Sequence, residues 1–162
     1  ADMFDLTQDI CGAAGMPAYE VSNHARDSAQ SRHNLIYWRY GDYLGIGPGA
    51  HGRLTLGGAR NATICFSNPK RWLDEVASNS AEQSRETLTR DDEATEFLLM
   101  GLRLREGIDV TRYAALAGKP LDAGAVAHLA NIGMITTTSG TLTVTDQGFR
   151  VLNSVISELL TA

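Results

Sequence analysis

The run from Thr89 to Leu159 constrains the fold more than any other part of the chain, because caps, apolar stripes and stop residues follow one another without a gap. Thr89 precedes Asp91, Asp92 and Glu93, the stripe Phe97, Leu98 and Leu102 follows, and Arg103 and Arg105 come last, an order that complements a helix dipole. Gly107 predicts the end of that helix. Asp109 predicts the cap of a second helix through Tyr113 and Leu116, stopped by Gly118 and Pro120. A third helix carries Val126, Leu129 and Ala130 and stops at Gly133. Two β-rich runs follow, Met134 to Thr138 and Thr141 to Val144, and Ser139-Gly140 reads as the two-residue turn of a hairpin. Thr145 then caps a closing helix with Phe149, Leu152, Val155, Ile156 and Leu159 on one face. Three helices, a hairpin and a closing helix predict a winged-helix-like domain, drawn as residues 84–162.

Upstream the pattern is less regular. Met3, Leu6, Ile10 and Ala13 recur at helical spacing before Gly15 and Pro17, and Tyr19 to Ser22 reads as a short strand. Helix, tight turn and strand form the repeating unit of an α/β layer or barrel, and one such unit cannot close a core. The chain opens on Ala1 rather than methionine, so a fragment is expected, with strand neighbours upstream. From Asn23 to Arg60 glycines and aromatics are dense and periodicity is weak, which predicts a long irregular functional segment. Asn68-Pro69 predicts a helix start with Trp72, Leu73 and Val76 on its apolar face, and Ser78 to Glu86 reads as a polar linker.

Composition removes several classes of function. At 162 residues the chain holds one or two domains. Its apolar stretches are broken by charges or glycines, so none spans a bilayer, and the N-terminus does not read as a signal peptide. Cys11 and Cys65 are the only cysteines, far apart, which fits a reducing cytoplasmic compartment and excludes a disulfide framework. An iron–sulfur cluster needs several clustered thiolates, so no metal cofactor is expected in this chain. Winged helices often bind DNA through the third helix, but Leu121 to Asn131 contains no arginine or lysine. From Arg90 onward six basic residues face nine acidic ones, net −3, and the wing turn is uncharged; the phosphate-binding footprint is missing and no nucleic-acid partner is expected.

Two segments carry candidate chemistry. His33-Asn34-Leu35-Ile36-Tyr37-Trp38 combines an imidazole, an amide and two large aromatics, with Arg32 and Arg39 on either side. Neutral imidazole is a common axial ligand to haem iron, aromatic rings cover a flat macrocycle, and two guanidiniums pair with propionates. The plainer alternative makes Tyr37 and Trp38 core aromatics and His33 a hydrogen-bonded loop residue. Gly45 to Gly52 (GIGPGAHG) lets backbone approach a ligand, but its glycines alternate and miss the phosphate-loop frame; a tight strand-to-loop passage explains it equally well. His24, His51 and Glu20 match no standard metal spacing, and His128 reads as a structural residue near a helix stripe.

The segments YEVSNHA (19–25), SRHNLIYWRYGDYLGIGPGAHG (31–52), GLRLREGID (101–109) and LTVTDQGFRVLNSVI (142–156) resemble the C-terminal half of the radical-SAM proteins of the oxygen-independent coproporphyrinogen III oxidase-like type. HNLIYW resembles the His-Asn-x-x-Tyr-Trp signature of their haem-chaperone branch. The resemblance covers nearly the whole chain. It implies an α+β chain: the C-terminal edge of a partial (β/α) barrel, residues 1–83, followed by the winged-helix-like domain. It further implies that a full-length protein holds a 4Fe–4S cluster on Cys-x-x-x-Cys-x-x-Cys, S-adenosylmethionine and haem. That cysteine motif is absent here, so no catalytic residue is assigned. Haem contact is implied for His33, with Asn34, Tyr37 and Trp38 around it and Arg32 and Arg39 as propionate candidates on their chemistry, and Gly47, Ala50 and His51 would lie toward the adenosylmethionine. Haem and haem-acceptor proteins are the implied partners, together with the N-terminal barrel. The alternative is a dehydrogenase that oxidatively decarboxylates coproporphyrinogen III; a metal-free porphyrinogen needs no iron ligand, so HNxxYW favours the chaperone.

Overall fold

The computed structural model describes residues 2–78 and 80–161. In chain order its elements are α1 (Asp2–Ala13), α2 (Arg32–Trp38), β1 (His51–Leu56), β2 (Ala59–Cys65), α3 (Pro69–Ala77), β3 (Glu82–Thr87), α4 (Arg90–Gly101), β4 (Ile108–Asp109), α5 (Val110–Ala117), α6 (Ala123–Asn131), β5 (Ile135–Thr138), β6 (Thr141–Val144), α7 (Asp146–Arg150) and α8 (Leu152–Thr161). They form a mixed helix and antiparallel-sheet fold in two compact units. One unit combines residues up to 40 with those from 94 onward; the other is residues 41–93. The boundary expected between residues 83 and 84 falls inside β3, and the compact units divide at Tyr40/Gly41 and at Glu93/Ala94 within α4.

The first unit owns the main core. Leu98 and Leu102 from α4 and the turn after it, Ile108 from β4, Leu129 from α6, Ile135 and Leu142 from the sheet, and Val155, Ile156 and Leu159 from α8 are buried together. Burying each such leucine or isoleucine is worth about 2 kcal/mol, so this cluster is what the conformational entropy of the unit is set against. The sheet runs β4-β6-β5, all antiparallel, with Ile108 opposite Leu142 and Ile135 opposite Val144. Ser139 and Gly140 both have positive φ, 51° and 83°, the conformation a two-residue hairpin turn needs.

The expected caps form here: Asp109 accepts from the amides of Thr111 and Arg112, Asp122 from Ala125 and Thr145 from Gly148. Thr89 and Asp92 cap reciprocally, the Thr89 hydroxyl donating to the carboxylate and accepting from the Asp92 amide. Donation from the Thr89 hydroxyl and amide to the carboxylate holds the Asp92 carboxyl below its ordinary range.

Several expectations need correction. α4 ends at Gly101 rather than reaching Gly107, so Arg103 and Arg105 lie in a turn, not in the last helical turn. A side chain at position 101 would collide with Ile108, so the chain bends where β4 packs closely. β4 itself was not expected from two residues. The closing helix is two, α7 and α8, broken at Val151 with φ −127°. Tyr19 to Ser22 does not form a strand; only isolated bridges occur there, Glu20 to Leu104 and, flanking it, Ala18 to His24. The stripe on α1 faces outward, with Met3, Leu6 and Ile10 exposed by 77%, 52% and 61%, while Phe4 packs partly on the core. Periodicity marks an apolar face without saying what covers it.

Much of the segment expected to be irregular is so, residues 23–31 and 39–50 forming no helix or strand, but its end enters the sheet of the second unit. β1 and β2 form a hairpin across Gly57-Gly58, both at positive φ, and β3 continues the antiparallel sheet where a polar linker was expected. The sheet needs β3 because the other edge of β2 already pairs with β1. Asp42 holds the hairpin: its carboxylate accepts from the Thr55 amide at 2.7 Å, the Thr55 hydroxyl at 2.9 Å and Arg60 at 2.8 Å. α3 starts at Pro69 with Asn68 as cap, as expected, but it buries no residue, and Leu73 and Val76 remain exposed.

Candidate functional site

The HNLIYW segment is a helix, not an irregular loop. Ser31 caps it, its hydroxyl accepting the Asn34 amide at 3.3 Å, and the absence of proline or glycine lets Arg32–Trp38 close two turns. The helix brings His33 and Tyr37 together, one turn apart. The Tyr37 hydroxyl lies 2.5 Å from Nε2 of His33, and the rings meet edge to face with centroids 4.6 Å apart. His33 is exposed and Tyr37 half-buried.

Trp38 turns to other neighbours. The Arg103 guanidinium lies 5.9 Å from its ring, within cation–π range. Its indole Nε1 is buried and has no hydrogen-bond partner among the described residues. Trp38 also lines a cleft of about 230 Å³ with Phe97, Ile108 and Arg112.

The end of α2 is anchored twice. Arg39 donates two hydrogen bonds to Glu106, at 2.7 and 2.8 Å, which raise its already high pKa. From α5, Arg112 donates to the carbonyls of Arg39 at 2.9 Å and Tyr40 at 3.1 Å. Tyr40 has φ 56°, a strained conformation for a tyrosine, and its ring is buried edge to face on Phe97 at 5.8 Å. The two carbonyls just past the helix end are thus satisfied by a side chain.

The two arginines that flank the motif differ. Arg39 is committed to Glu106, whereas Arg32 is exposed at the first position of the helix. Sequence reasoning missed Arg103, Glu106 and Arg112. The stretch GLRLREGID contains the first two, and only the turn after α4 brings them to α2.

In the second unit the glycine segment is built largely by its own packing. A Cβ on Gly45 would stand 2.6 Å from the His51 carbonyl, and one on Gly52 would stand 2.5 Å from the Thr63 hydroxyl. Gly47 differs, with φ 116° and open space where a side chain would go. Ala50 is half-buried and its carbonyl accepts the Cys65 amide at 2.9 Å; His51 is exposed at the start of β1.

Elsewhere His24 bonds Gln8 at 3.3 Å, and exposed His128 pairs with Glu158 at 2.6 Å, joining α6 to α8. Glu20 is fully buried; one oxygen accepts from the amide and hydroxyl of Ser22, and the other has no partner among the described residues. No group of three or more His, Cys, Asp or Glu side chains that could hold a metal occurs among the described residues. Two cysteines, one of them a buried thiol donating to the Gly45 carbonyl, do not fit an iron–sulfur cluster. No helix among the described residues is long and apolar enough to cross a membrane.

Residues 88–151 match the family described as HemN C-terminal domain. The chain is 30% identical to the heme chaperone HemW of Bacillus subtilis over 164 residues, covering 99% of this chain and 42% of that protein. It is 42% identical over 113 residues to the mitochondrial radical S-adenosyl methionine domain-containing protein 1 of Bos taurus, covering 67% of this chain and 26% of that protein. Its fold matches the solved structure of the Escherichia coli coproporphyrinogen III oxidase (HemN), a radical SAM enzyme, with a TM-score of 0.68 and 17% identity over 99% of this chain and 40% of that one. The chain therefore spans less than half the length of the relatives it matches. With its C-terminal family match, its HemW relatives and its HemN-like fold, the chain belongs to the HemW/HemN-like radical-SAM proteins, as a C-terminal portion of one.

Proposed function

We propose that this chain is the haem-handling C-terminal part of a HemW-type chaperone. The observation that carries the reading is α2, which presents the exposed imidazole of His33 one turn from Tyr37 and on the same short helix as Trp38. A histidine on a capped helix anchored at its far end is an iron ligand with little orientational entropy to lose. Asn34 and Tyr37 would border the iron, Trp38 would offer ring surface, and Arg32 remains available to a carboxylate. Arg39 joins the site only by giving up Glu106. The relatives that carry the heme chaperone name support the assignment of haem as cargo, and haem-acceptor proteins would be the partners of such a chaperone.

In the whole protein the cluster and S-adenosylmethionine would be held by the part outside this chain, with Gly47, Ala50 and His51 toward the latter. On the same reading residues 1–83 complete a (β/α) barrel edge and residues 84–162 form a winged helix. The order α4, β4, α5, α6, β5, β6 supports the second half of that reading. The fold likeness to coproporphyrinogen III oxidase keeps radical decarboxylation as the alternative for the full-length protein.

Haemin titration of wild type and His33→Ala separates the readings for this chain. Wild type should give a shifted Soret band that His33→Ala loses or alters. An unchanged spectrum and affinity in His33→Ala returns His33 to a structural role.

A further inference from the structure

We propose that the open cleft between Arg103 and the start of α8 receives the carboxylate edge of a porphyrin, with the Arg103 guanidinium as its anion partner. The inference rests on the haem reading above and replaces Arg39 with Arg103 as the residue that recognises a propionate. The cleft measures about 590 Å³, within the range of small-molecule sites, and it is lined by Val21, Arg103, Phe149, Arg150, Val151 and Leu152 among others. Its wall thus combines apolar side chains with two cations and the polar Asn153 and Ser154, which suits a flat ligand with an apolar ring and acid groups.

The two cations are not equivalent. Arg150 is committed to Asp5, at 2.9 Å. Arg105, nearby in sequence, is held by Asp146 and stacks on Phe149 at 3.9 Å. Arg103 has no carboxylate partner among the described residues, and its one described side-chain contact is with the Trp38 ring. A half-buried guanidinium resting on an indole is partly desolvated and held in place, so a carboxylate gains charge-assisted hydrogen bonds without first displacing an acid. Arg103 reaches from this cleft to the Trp38 ring, which lines the neighbouring cleft of about 230 Å³ and shares α2 with His33, the candidate iron ligand.

The test compares iron-free protoporphyrin IX with its dimethyl ester, using porphyrin fluorescence, on wild type, Arg103→Met and Arg103→Lys. Methionine keeps an apolar stem against Trp38, and lysine keeps the charge. Wild type should prefer the diacid by about tenfold, the worth of a hydrogen-bonded charge pair. Arg103→Met should lose that preference with ester binding unchanged, and Arg103→Lys should retain most of it. The proposal is overturned if wild type binds neither porphyrin, does not discriminate between them, or keeps its preference in Arg103→Met. Equal loss of both porphyrins in both variants also overturns it, as a packing defect. Because these porphyrins lack iron, the outcome is independent of His33: a preserved acid preference beside a haemin spectrum indifferent to His33→Ala removes the ligand reading and leaves the cleft.

Discussion

The hydroxyl of Tyr37 lies 2.5 Å from Nε2 of His33, in hydrogen-bond contact with a ring nitrogen that could ligate iron. Tyr37 therefore orients the imidazole, and on the haem reading it would compete with the iron for that nitrogen. Tyr37→Phe keeps the edge-to-face ring contact and removes the competing hydroxyl. We expect haemin affinity to rise by about three- to tenfold, the net worth of one hydrogen bond, with the Soret band retained. A fall in affinity in the Soret titration would mean that the hydroxyl contacts the ligand directly.

Arg112 is the residue through which α5 fixes the end of α2, by donating to two consecutive carbonyls at the strained Tyr40. Arg112→Met preserves apolar contact with Phe97 and removes both donors. Urea unfolding should show a loss of about 1–3 kcal/mol, the cost of leaving those two carbonyls unsatisfied. Stability equal to wild type would show that water replaces the guanidinium without cost.

Acid sensitivity of the second unit should trace to Asp42. Burial pushes its carboxyl up, but hydrogen bonds from the Thr55 amide and hydroxyl and the charge of Arg60 outweigh that and hold it below its ordinary value. A carboxylate depressed in the folded state stabilises at pH above the unfolded range, and the contribution is lost as pH falls through that range toward the folded value. Asp42→Asn should therefore lower stability at neutral pH and flatten the decline between about pH 5 and pH 3. Denaturant unfolding at stepped pH measures this, and an acid slope identical to wild type would refute it.

Duplex DNA should not bind. The outer face of α6 presents Ala123, Gly124, Ala127, His128 and Asn131, with no lysine or arginine to meet phosphates. Fluorescence anisotropy at low salt with a mixed-sequence duplex should show no salt-sensitive association in the micromolar range. Steeply salt-dependent binding would reverse this expectation.

The amino-acid sequence by itself determined the helices and hairpin after Thr89, because capping and periodicity are local: Asp109, Asp122, Thr145 and Ser139-Gly140 each act on backbone a few residues away. It also carried the HNLIYW signature, though not its helix, since seven residues are too few to show a period. Gly57-Gly58 was a legible hairpin signal within a segment whose glycines and aromatics hid it. Tertiary structure alone decided what local chemistry does not encode: β3 pairs with β2 rather than serving as a linker, and the stripe of α1 faces outward while Phe4 turns in. It also assigned partners to the arginines, sending Arg39 to Glu106, 67 positions away, and laying Arg103 over Trp38. Such choices depend on which distant charge or ring the packed chain brings within a few ångströms, and spacing along the chain holds no record of them.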